Sequence, residues 1–511
     1  MQREILFGVR TIALLLLAAT LGRDADAALK HRYSFTSNAN DSIGGKNGTV
    51  VDAGVTPNFV FTGDQLDLTP NAGEAANAIV EDAYVDLPNG MISALGTTGT
   101  FELWVTVDTN RNWAEIYSFG QSRVDTGGEG VSAGFGKYIT LIPDTGDGAD
   151  TFRLEAIQFP DGSPDFAPFG TSNVSAADGT VLPTGVKHHI VSIFDSTDTV
   201  GGANPNGTMY NYLDGALVGT TPLYAGFTLG GLPDVNNWLG RSQWPDPIFD
   251  GLFDEFRIYD HALNSSEVAY NQVLGPDQVG TVPAEGIVSI EVNTVTNSIK
   301  LISNVDNPIA INYYEINSAG GALSPGGWNS LDDQEGGDPA GQGWDQSGGV
   351  NANQLIELFL PEAGDTLASH EVLSLGAAFN KSVFGNGNNG DLTFKFGLMN
   401  GTLLQGGVKY VTTAGVPGDY NSDGVVNAAD YTLWRDHFGQ NFQLNNEVNG
   451  MTPGTVTAED YTAWKTRFGN TAGSGALLDG RSTVPEPTAA LLGCLALVAW
   501  GTVRDRNKHV H

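Results

Sequence analysis

Short segments of alternating hydrophobic and polar residues recur along most of the chain. Residues 100–108 (TFELWVTVD) carry apolar side chains at every second position, and similar runs occur at 138–142, 152–159 and 188–194. Alternation with a period of two predicts β-strands that bury one face. No long helical period occurs between residues 29 and 276, so we expect a large antiparallel β-sandwich there.

Two local signals and a second alternating region complete this picture. Asp214-Gly215 lies between two strand-like runs and predicts a two-residue hairpin turn. Asn264 is followed three residues later by Glu267, a capping box that predicts one short helix starting there. Further runs at 287–292, 299–302, 309–316 and 392–396 predict a second, smaller β-sandwich over residues 280–412. No motif in this second region indicates a chemical role.

The charge balance excludes one class of partner. The chain has 511 residues, with 24 Lys and Arg against 58 Asp and Glu, which gives a formal net charge of −34. Such a chain cannot neutralise a run of phosphates, so we expect no nucleic-acid partner. The acidity favours a soluble extracellular surface that holds divalent cations. The single cysteine, Cys494, excludes internal disulfides and a cysteine-based zinc site.

The N-terminal residues 1–27 have the pattern of a secretory signal peptide. Arg3 and Arg10 supply the basic start, Thr11–Leu21 is apolar apart from its threonines, and Ala25-Asp26-Ala27 matches a small-residue cleavage site. We therefore expect a mature chain that starts at Ala28. The alternative is a membrane anchor, but the apolar run is short for a membrane span.

The C-terminal end has three parts after a linker at 471–484. Pro485-Glu486-Pro487 precedes an apolar run, Ala489–Val503, and then two arginines, Arg504 and Arg506. An apolar run followed by arginine places the bulk of the chain outside the membrane. Residues 485–507 resemble the PEP-CTERM sorting signal of Gram-negative, exopolysaccharide-producing bacteria. The resemblance implies export, processing by an exosortase-type enzyme, and attachment to the cell surface or matrix; the alternative is a plain C-terminal membrane anchor.

The last third of the first region carries an ordered set of motifs. Residues 212–219 (YLDGALVG), 238–241 (WLGR) and 249–259 (FDGLFDEFRIY) occur in sequence. They resemble the laminin-G-like, concanavalin A-type jelly roll. The resemblance implies that residues 28–276 form one such domain, which recognises carbohydrate or protein.

Candidate ligand-binding residues in this domain come from its loops. Laminin-G-like domains often hold one calcium at the rim of the sandwich, and Asp41 is the best candidate here, with Asn47 as a helper. An Asx-turn at Asp41 explains the same pattern equally well. Trp113 and Trp244 are candidates for stacking on sugar rings, and partial burial in packing is the alternative for both.

The sequence shows no acid/base pair for catalysis. Asp254 and Glu255 are adjacent, and adjacent residues on a strand point to opposite faces, so they cannot flank one glycosidic bond. We expect the His188-His189 pair to be a packing feature. No catalytic residue is therefore expected, and the protein is interpreted as non-enzymatic.

Residues 419–430 (DYNSDGVVNAAD) have the spacing of an EF-hand-type calcium loop. Side-chain oxygens fall at Asp419, Asn421, Asp423, Asn427 and Asp430, the backbone carbonyl of Val425 fills position seven, and Gly424 makes the turn. Calcium is thus the expected cofactor. A short helix is predicted to follow at 429–438.

This unit recurs thirty residues later. Residues 424–439 and 454–469 are identical at nine of sixteen positions. Paired calcium-loop helices resemble a dockerin type I module over 417–470, which implies a cohesin-like partner. In the second loop Met451 and Pro453 fill ligand positions and cannot bind calcium, so we expect one ion and leave open a self-packed calcium clip.

Three functions fit these observations. The first is an exported, surface- or matrix-attached, non-catalytic protein that binds extracellular polysaccharide or surface glycoprotein through the laminin-G-like domain. The second is a glycan-degrading enzyme, or a component docked to a larger complex. The third is a passive structural coat protein. The sequence favours the first because signal, sorting tail and calcium module agree and no catalytic cluster is present.

Overall fold

A computed structural model of the protein describes residues 29–471, apart from 124–127, 149, 161–167, 169, 336–338, 362, 384–389, 413–414, 422–423 and 448–453. The predicted signal peptide and sorting segment lie outside the described residues. The chain divides into two compact units, Met1–Ala414 and Gly415–His511. No helix in the described part has the length and hydrophobicity needed to cross a membrane.

The first part of unit one is built from strands, as the alternating pattern predicts. In chain order they are β1 (Leu29–Tyr33), β2 (Thr49–Asp52), β3 (Val60–Phe61), β4 (Leu66–Asp67), β5 (Ala83–Leu87), β6 (Thr98–Val107), β7 (Tyr117–Gln121), β8 (Lys137–Ile142), β9 (Arg153–Gln158), β10 (Gly170–Ser175), β11 (Lys187–Asp195), β12 (Thr208–Leu213), β13 (Ala216–Pro222), β14 (Asn236–Leu239) and β15 (Gly251–Tyr259). One helix, α1 (Ser265–Leu274), follows them.

These strands form two antiparallel sheets that pack face to face. One has eight strands in the order β13-β12-β11-β6-β15-β4-β3, with β1 paired to β15, and the other has seven in the order β10-β9-β8-β7-β14-β5-β2. Alternate side chains such as Phe101 and Leu103 on β6 and Ile139 and Leu141 on β8 meet in one buried core. The protein is mainly β and this part is a jelly-roll-like sandwich, which confirms the predicted fold class.

The local signals appear where the sequence places them. Asp214 and Gly215 have φ angles of 50° and 76° and join β12 to β13. Helix α1 starts after Asn264, whose side chain accepts hydrogen bonds from the backbone of Ser266 and Glu267, while the Glu267 carboxylate accepts one from the Asn264 backbone. The predicted capping box is therefore present.

The prediction for Asp254 and Glu255 was wrong about their orientation. The register of β15 against β6 shifts between Phe253 and Glu255, so Asp254 is the extra residue of a β-bulge. Both acidic side chains consequently lie on the outer face of the eight-stranded sheet. Asp254 forms an ion pair with Lys187, and Glu255 forms one with Arg32 at 2.8 Å. Each carboxylate is thus held by a basic side chain on that face.

The second part of unit one is a smaller sandwich. Its strands are β16 (Val288–Asn293), β17 (Ile299–Ser303), β18 (Ile309–Ser318), β19 (Trp344–Gln346), β20 (Gln354–Phe359), β21 (Asp365–Leu367), β22 (Val372–Ser374), β23 (Leu392–Leu398) and β24 (Leu403–Val411), with a short helix α2 (Leu331–Gln334). Strand β24 pairs with β23 through residues 403–406 and with β16 through residues 407–411. This switch at Gly406-Gly407 lets the sheet fold over its own core.

Helix α1 contributes to the cores of both sandwiches. Val268 packs against Val191 and Tyr212 on the outer face of the eight-stranded sheet. On another face of the helix, Tyr270 and Leu274 belong to the buried cluster of the second sandwich. The predicted boundary between residues 276 and 280 therefore falls beside a helix that both sandwiches share.

Unit two is built on two helices, α3 (Ala428–Asp436) and α4 (Ala458–Arg467). The indole of Trp434 donates a hydrogen bond to the backbone carbonyl of Thr457 at 2.7 Å, and the indole of Trp464 donates one to Asn427 at 2.7 Å. Each tryptophan therefore donates to the residue that caps the helix of the other repeat, and the two repeats make equivalent contacts. The prediction of a helix at 429–438 is confirmed by α3, which ends two residues earlier than predicted, at Asp436.

A chain that ends at residue 275 should be less stable than one that ends at residue 412. Removing the second sandwich exposes Tyr270 and Leu274, and burying a large apolar side chain contributes about 1.5–3 kcal/mol. Urea unfolding of both chains should show the shorter one to be less stable by roughly 3 kcal/mol or more.

Two substitutions in α1 separate this explanation from general damage. Leu274→Ala should destabilise only the longer chain, because Leu274 packs only in the second core. Val268→Ala should destabilise both chains equally. Equal stability of the two unsubstituted chains would contradict the shared-helix interpretation.

Candidate functional site

One face of the first sandwich presents a row of polar side chains. On the seven-stranded sheet, Ile139 and Leu141 of β8 and Leu154 of β9 point into the core. The alternate residues therefore point away from it, among them Tyr138, Thr140, Arg153 and Glu155. We call the side of the sheet that carries them the outer face.

Trp244 closes one end of this row. Its indole Nε1 donates a hydrogen bond to the hydroxyl of Tyr138, at the start of β8. Its ring lies 4.6 Å from the ring of Phe135 and 5.8 Å from that of Phe159, measured between centroids. The indole is half-buried, so packing holds it in one orientation while part of the ring stays accessible.

Trp113 lies at the other end. It follows β6 in a loop, has a φ angle of 66°, and donates its backbone N–H to the carbonyl of Asp144 at 2.8 Å. The guanidinium of Arg153 lies 5.9 Å from the centre of its ring. Arg153 pairs with Ile142 at the end of β8. Tyr138, beside the half-buried Trp244, and Ile142, paired with Arg153 near the half-buried Trp113, are separated along β8 by about 13 Å at the usual rise of a strand.

Two carboxyl groups lie beneath the row. Glu115 is 2% exposed, and burial together with the nearby Asp246 raises its pKa to about 8. Burial also raises the pKa of Asp246 to about 6, although the hydroxyl of Ser242 donates a hydrogen bond to its carboxylate at 3.0 Å. At neutral pH Glu115 therefore carries a proton and Asp246 is mostly ionised.

An ion-pair group occupies the surface of the row. Arg153 binds Asp147 at 2.8 Å and Glu155 at 3.2 Å, and its Nε donates to the hydroxyl of Ser175 at 3.0 Å. Burial raises the pKa of Glu155, and the adjacent Arg153 opposes this shift. We use the name polar strip for the side chains between the two tryptophans, namely Glu115, Tyr138, Thr140, Asp147, Arg153, Glu155 and Asp246.

Arg241 holds the neighbouring loops against the outer face. Its guanidinium lies 4.1 Å from the ring centre of Trp238. It donates hydrogen bonds to the hydroxyls of Tyr84 and Ser132 and to two backbone carbonyls, at 2.6–3.2 Å. Every arm of this guanidinium is engaged, so Arg241 acts as a buried support and not as a ligand contact.

The predicted rim residues fold into a closed turn. Four backbone N–H groups donate to the Asp41 carboxylate at 2.9–3.0 Å, and His31 Nδ1 lies 2.7 Å from it. Burial alone would raise the pKa of Asp41, but these hydrogen bonds prevail and lower it to about 2. The amide oxygen of Asn47 accepts the backbone N–H of Asp41 at 3.1 Å. This geometry favours the Asx-turn, and calcium at Asp41 and Asn47 stays a prediction.

The predicted calcium loop brings its first and last residues together. Gly424 donates its backbone N–H to Asp419 at 2.9 Å, and the backbone N–H groups of Asn421 and Asn427 donate to Asp430 at 3.0 and 2.7 Å. The Asp419 and Asp430 side chains are buried. Asp423 lies outside the described residues. Within the described part of the chain, no three acidic, histidine or cysteine side chains converge as a metal cluster.

The histidine pair contacts acidic and aromatic neighbours. His188 Nδ1 lies 2.8 Å from the Asp214 carboxylate, and His189 Nε2 lies 2.9 Å from Glu102. The His189 ring also stacks on Trp104 with centroids 4.5 Å apart. Both residues lie on β11 of the eight-stranded sheet, whereas the polar strip lies on the seven-stranded sheet.

A second concavity lies on the covered side of the sandwich. It has a volume of about 770 Å³ and is lined by residues of α1, the end of β15 and the linker at 279–282. The Tyr259 hydroxyl in its wall donates to Glu102 at 2.7 Å, and the Asn271 amide donates to the same carboxylate at 3.2 Å. The groups of the polar strip also have partners within the chain, but two half-buried tryptophans lie at its ends, and we regard the outer face as the better candidate because their rings can stack on a ligand.

Sequence reasoning named the two tryptophans as candidates and did not name the groups between them. The alternation that predicted β8 and β9 also assigns Tyr138 and Glu155 to the face opposite the core, so that signal was available. Glu115 and Asp246 are separated by more than a hundred residues along the chain. Their proximity depends on the fold, and no local pattern indicates it.

Replacing Glu115 with glutamine should change how stability depends on pH. The folded-state pKa of about 8 is above the ordinary value of 4.5, so the wild type loses stability as pH rises between these values. As the pH rises from about 5 to about 9, the free energy of unfolding of Glu115→Gln should increase relative to that of the wild type by on the order of a few kcal/mol.

Urea unfolding across this range measures the effect. Glu81→Gln, a substitution of an exposed glutamate, is the control and should leave the pH profile unchanged. If the free energy of unfolding changed with pH in the same way for Glu115→Gln and the wild type, the Glu115 carboxyl would not be protonated in the folded protein.

Comparisons with known proteins agree with this fold. Residues 80–269 match the family model described as the concanavalin A-like lectin/glucanases superfamily. No protein of curated function matches the chain.

Among solved structures, domain 4 of an extracellular GH43 arabinanase from Geobacillus stearothermophilus, in complex with arabinotriose, is 22% identical. The match covers 48% of this chain and 98% of that one, with a TM-score of 0.33. The CBM40 of a Ruminococcus gnavus intramolecular trans-sialidase, bound to sialyllactose, is 12% identical over 39% of this chain and 91% of that one, with a TM-score of 0.26. On the family match, the first sandwich is a concanavalin A-like lectin/glucanase domain, as the sequence motifs predict.

Proposed function

We propose that this protein is an exported, non-catalytic binding protein of the cell surface or extracellular matrix. In this proposal the outer face of the first sandwich recognises carbohydrate, and calcium stabilises the C-terminal module. The partner is an extracellular polysaccharide or a surface glycoprotein.

The observation that carries the proposal is the pair of half-buried tryptophans at the two ends of one polar strip. Sugar rings have apolar faces that stack on aromatic side chains and hydroxyl groups that need hydrogen-bonding partners. Trp113 and Trp244 offer stacking surfaces, and Asp147, Arg153 and Glu155, whose side chains are 12–34% exposed, offer hydrogen-bonding partners. The spacing along β8 suits a short stretch of a glycan lying along the strand.

The rest of the sandwich supports the same location. The outer face of the eight-stranded sheet is covered by α1, whose Val268 packs on it. The family match of residues 80–269, which names lectins and glucanases, covers β8 and β9, the strands that carry the polar strip. The outer face of the seven-stranded sheet is itself partly covered by the loops that Arg241 holds, and the half-buried Trp113 and Trp244 remain accessible at the two ends of the strip.

A glycan-degrading enzyme is the second candidate. Glu115 and Asp246 have pKa values raised by burial to about 8 and about 6, and such a difference is used for acid and base roles in glycosidases. The Glu115 carboxyl, however, is almost completely buried beneath Thr140, where a substrate does not reach. Its position favours support of the strip over catalysis. Release of reducing sugar from the bound polysaccharide would favour the enzyme.

The C-terminal module completes the proposal. Its paired helices and the loop at 419–430 resemble dockerin type I, and a bound calcium would be held by Asp419, Asn421, Asp423, the Val425 carbonyl, Asn427 and Asp430. The ion would neutralise the buried carboxylates of Asp419 and Asp430 and fix the start of α3. A cohesin-like domain is the proposed partner of this module.

The proposed export and attachment are argued from the sequence patterns at the two ends of the chain. The predicted signal peptide and the PEP-CTERM-like segment, with an exosortase-type processing enzyme as its partner, give the proposed location. The C-terminal segment would hold the chain at the membrane until it is processed.

Substitution of either tryptophan should weaken glycan binding. Trp113→Ala and Trp244→Ala each remove one stacking surface, and the affinity should fall by about tenfold or more, since aromatic contacts contribute about 0.5–1.5 kcal/mol beyond the buried area. A glycan array probed with the full chain identifies a ligand, and calorimetry on that ligand measures the loss.

The control is Phe438→Ala, which removes an exposed ring in unit two and should leave glycan binding unchanged. Trp244→Phe keeps an aromatic ring and should retain part of the affinity. Unchanged affinity in both alanine variants would place the ligand elsewhere, and no binding to any glycan would refute the carbohydrate proposal.

Calcium should bind to the loop at 419–430 with one ion per module. Asp419→Asn and Asp430→Asn each remove a ligand charge and should abolish calorimetric calcium binding there, together with the stability that the ion adds to the module. Asp436→Asn, at an exposed position on α3, is the matched control and should bind calcium normally. Calcium binding that survives both loop substitutions would contradict the assignment; a second ion that is lost in Asp41→Asn would support the predicted rim site.

A further inference from the structure

The charged groups of the polar strip limit the kind of carbohydrate that it accepts. Arg153 is the guanidinium at the Trp113 end of the strip, and it is paired with two carboxylates, Asp147 and Glu155, at 2.8 and 3.2 Å. Its side chain is 14% exposed, and that of Glu155 is 12% exposed. The positive charge of Arg153 is therefore offset by two negative charges within direct contact.

Two other guanidinium groups near the outer face are placed differently. Arg241 is buried and donates to four oxygen atoms of the chain. Arg123 lies 5.9 Å from the ring centre of Phe135, which precedes β8, so it lies beyond the Trp244 end of the strip. Neither group offers its charge to a ligand that lies between the two tryptophans.

Acidic groups outnumber basic groups along the strip. Asp147 and Glu155 lie at its surface, and Asp246 lies beneath it, while the protonated Glu115 adds a hydroxyl donor without charge. The whole chain has a net charge of −34, which adds a longer-range repulsion of anions. A sugar carboxylate placed here would meet like charges, and Arg153, the basic residue of the strip, already pairs with two carboxylates.

We infer that the outer face binds a neutral glycan, and that Asp147 and Glu155 determine this specificity by neutralising Arg153. The inference rests on the proposed carbohydrate-binding function. Neutral hydroxyl groups can accept from Arg153 and donate to the carboxylates without breaking the ion pairs. A sugar carboxylate would have to displace Asp147 or Glu155 from the guanidinium and leave that carboxylate without its partner.

Matched pairs of oligosaccharides that differ by one acidic sugar test the inference. Suitable pairs are lactose with sialyllactose, xylotetraose with its glucuronic acid-substituted form, and galactobiose with digalacturonate. With the full chain and calorimetry, the neutral member of any bound pair should bind about tenfold tighter or more, because each like-charge contact disfavours the acidic member. Neutral binding should also be insensitive to added salt.

A double variant tests the two residues themselves. Asp147→Asn with Glu155→Gln keeps the size of both side chains and leaves the charge of Arg153 without its two carboxylate partners. The affinity for the acidic member should then rise by about tenfold, and the preference should narrow or reverse. The matched control, Glu81→Gln with Asp436→Asn, makes the same change in net charge at two exposed residues that are not part of the strip, and it should leave the preference intact.

The outcomes separate the inference from the function on which it rests. Tighter binding of the acidic members by the wild type, or an unchanged preference in the double variant, overturns the inference and leaves carbohydrate binding in place. Absence of binding to every pair and to the wider array overturns the proposed function and the inference with it.

Discussion

The buried guanidinium of Arg257 organises the covered side of the first sandwich. It forms ion pairs with Glu255 and with Glu102, the latter at 3.3 Å, and it lies 4.5 Å from the ring centre of Trp104. A buried charge of this kind is tolerated only when it is paired, and removal of one partner leaves an uncompensated charge. Because Arg257 also donates to the carbonyl of Gln278 at 2.7 Å, the network attaches the linker to the sheet.

This attachment determines which side of the sandwich is available. The linker and α1 are held against the eight-stranded sheet, and α1 supplies Tyr270 and Leu274 to the core of the second sandwich. The proposed binding face is on the seven-stranded sheet, where Trp113 and Trp244 lie at the two ends of the polar strip. The position of the candidate site follows from how the opposite side is closed.

Much of the fold could be predicted because it depends on residues that are close together in the sequence. Strand alternation, the Asp214-Gly215 turn and the Asn264 cap are local signals, and each corresponds to the element predicted. The bulge at Asp254 could not be predicted, since it arises from pairing with β6 across the sheet. For the site, stacking chemistry was enough to select Trp113 and Trp244, whereas the proximity of Glu115 to Asp246 depends on contacts between distant parts of the chain.

Hydrogen–deuterium exchange with and without the tightest-binding glycan tests the central claim, that the outer face of the seven-stranded sheet is the ligand site. The account predicts slower exchange in the loops that carry the two tryptophans, residues 109–116 and 240–247, and little change elsewhere. Protection confined to residues 259–282, around the concavity beside α1, would contradict it and place the ligand on the opposite side of the sandwich.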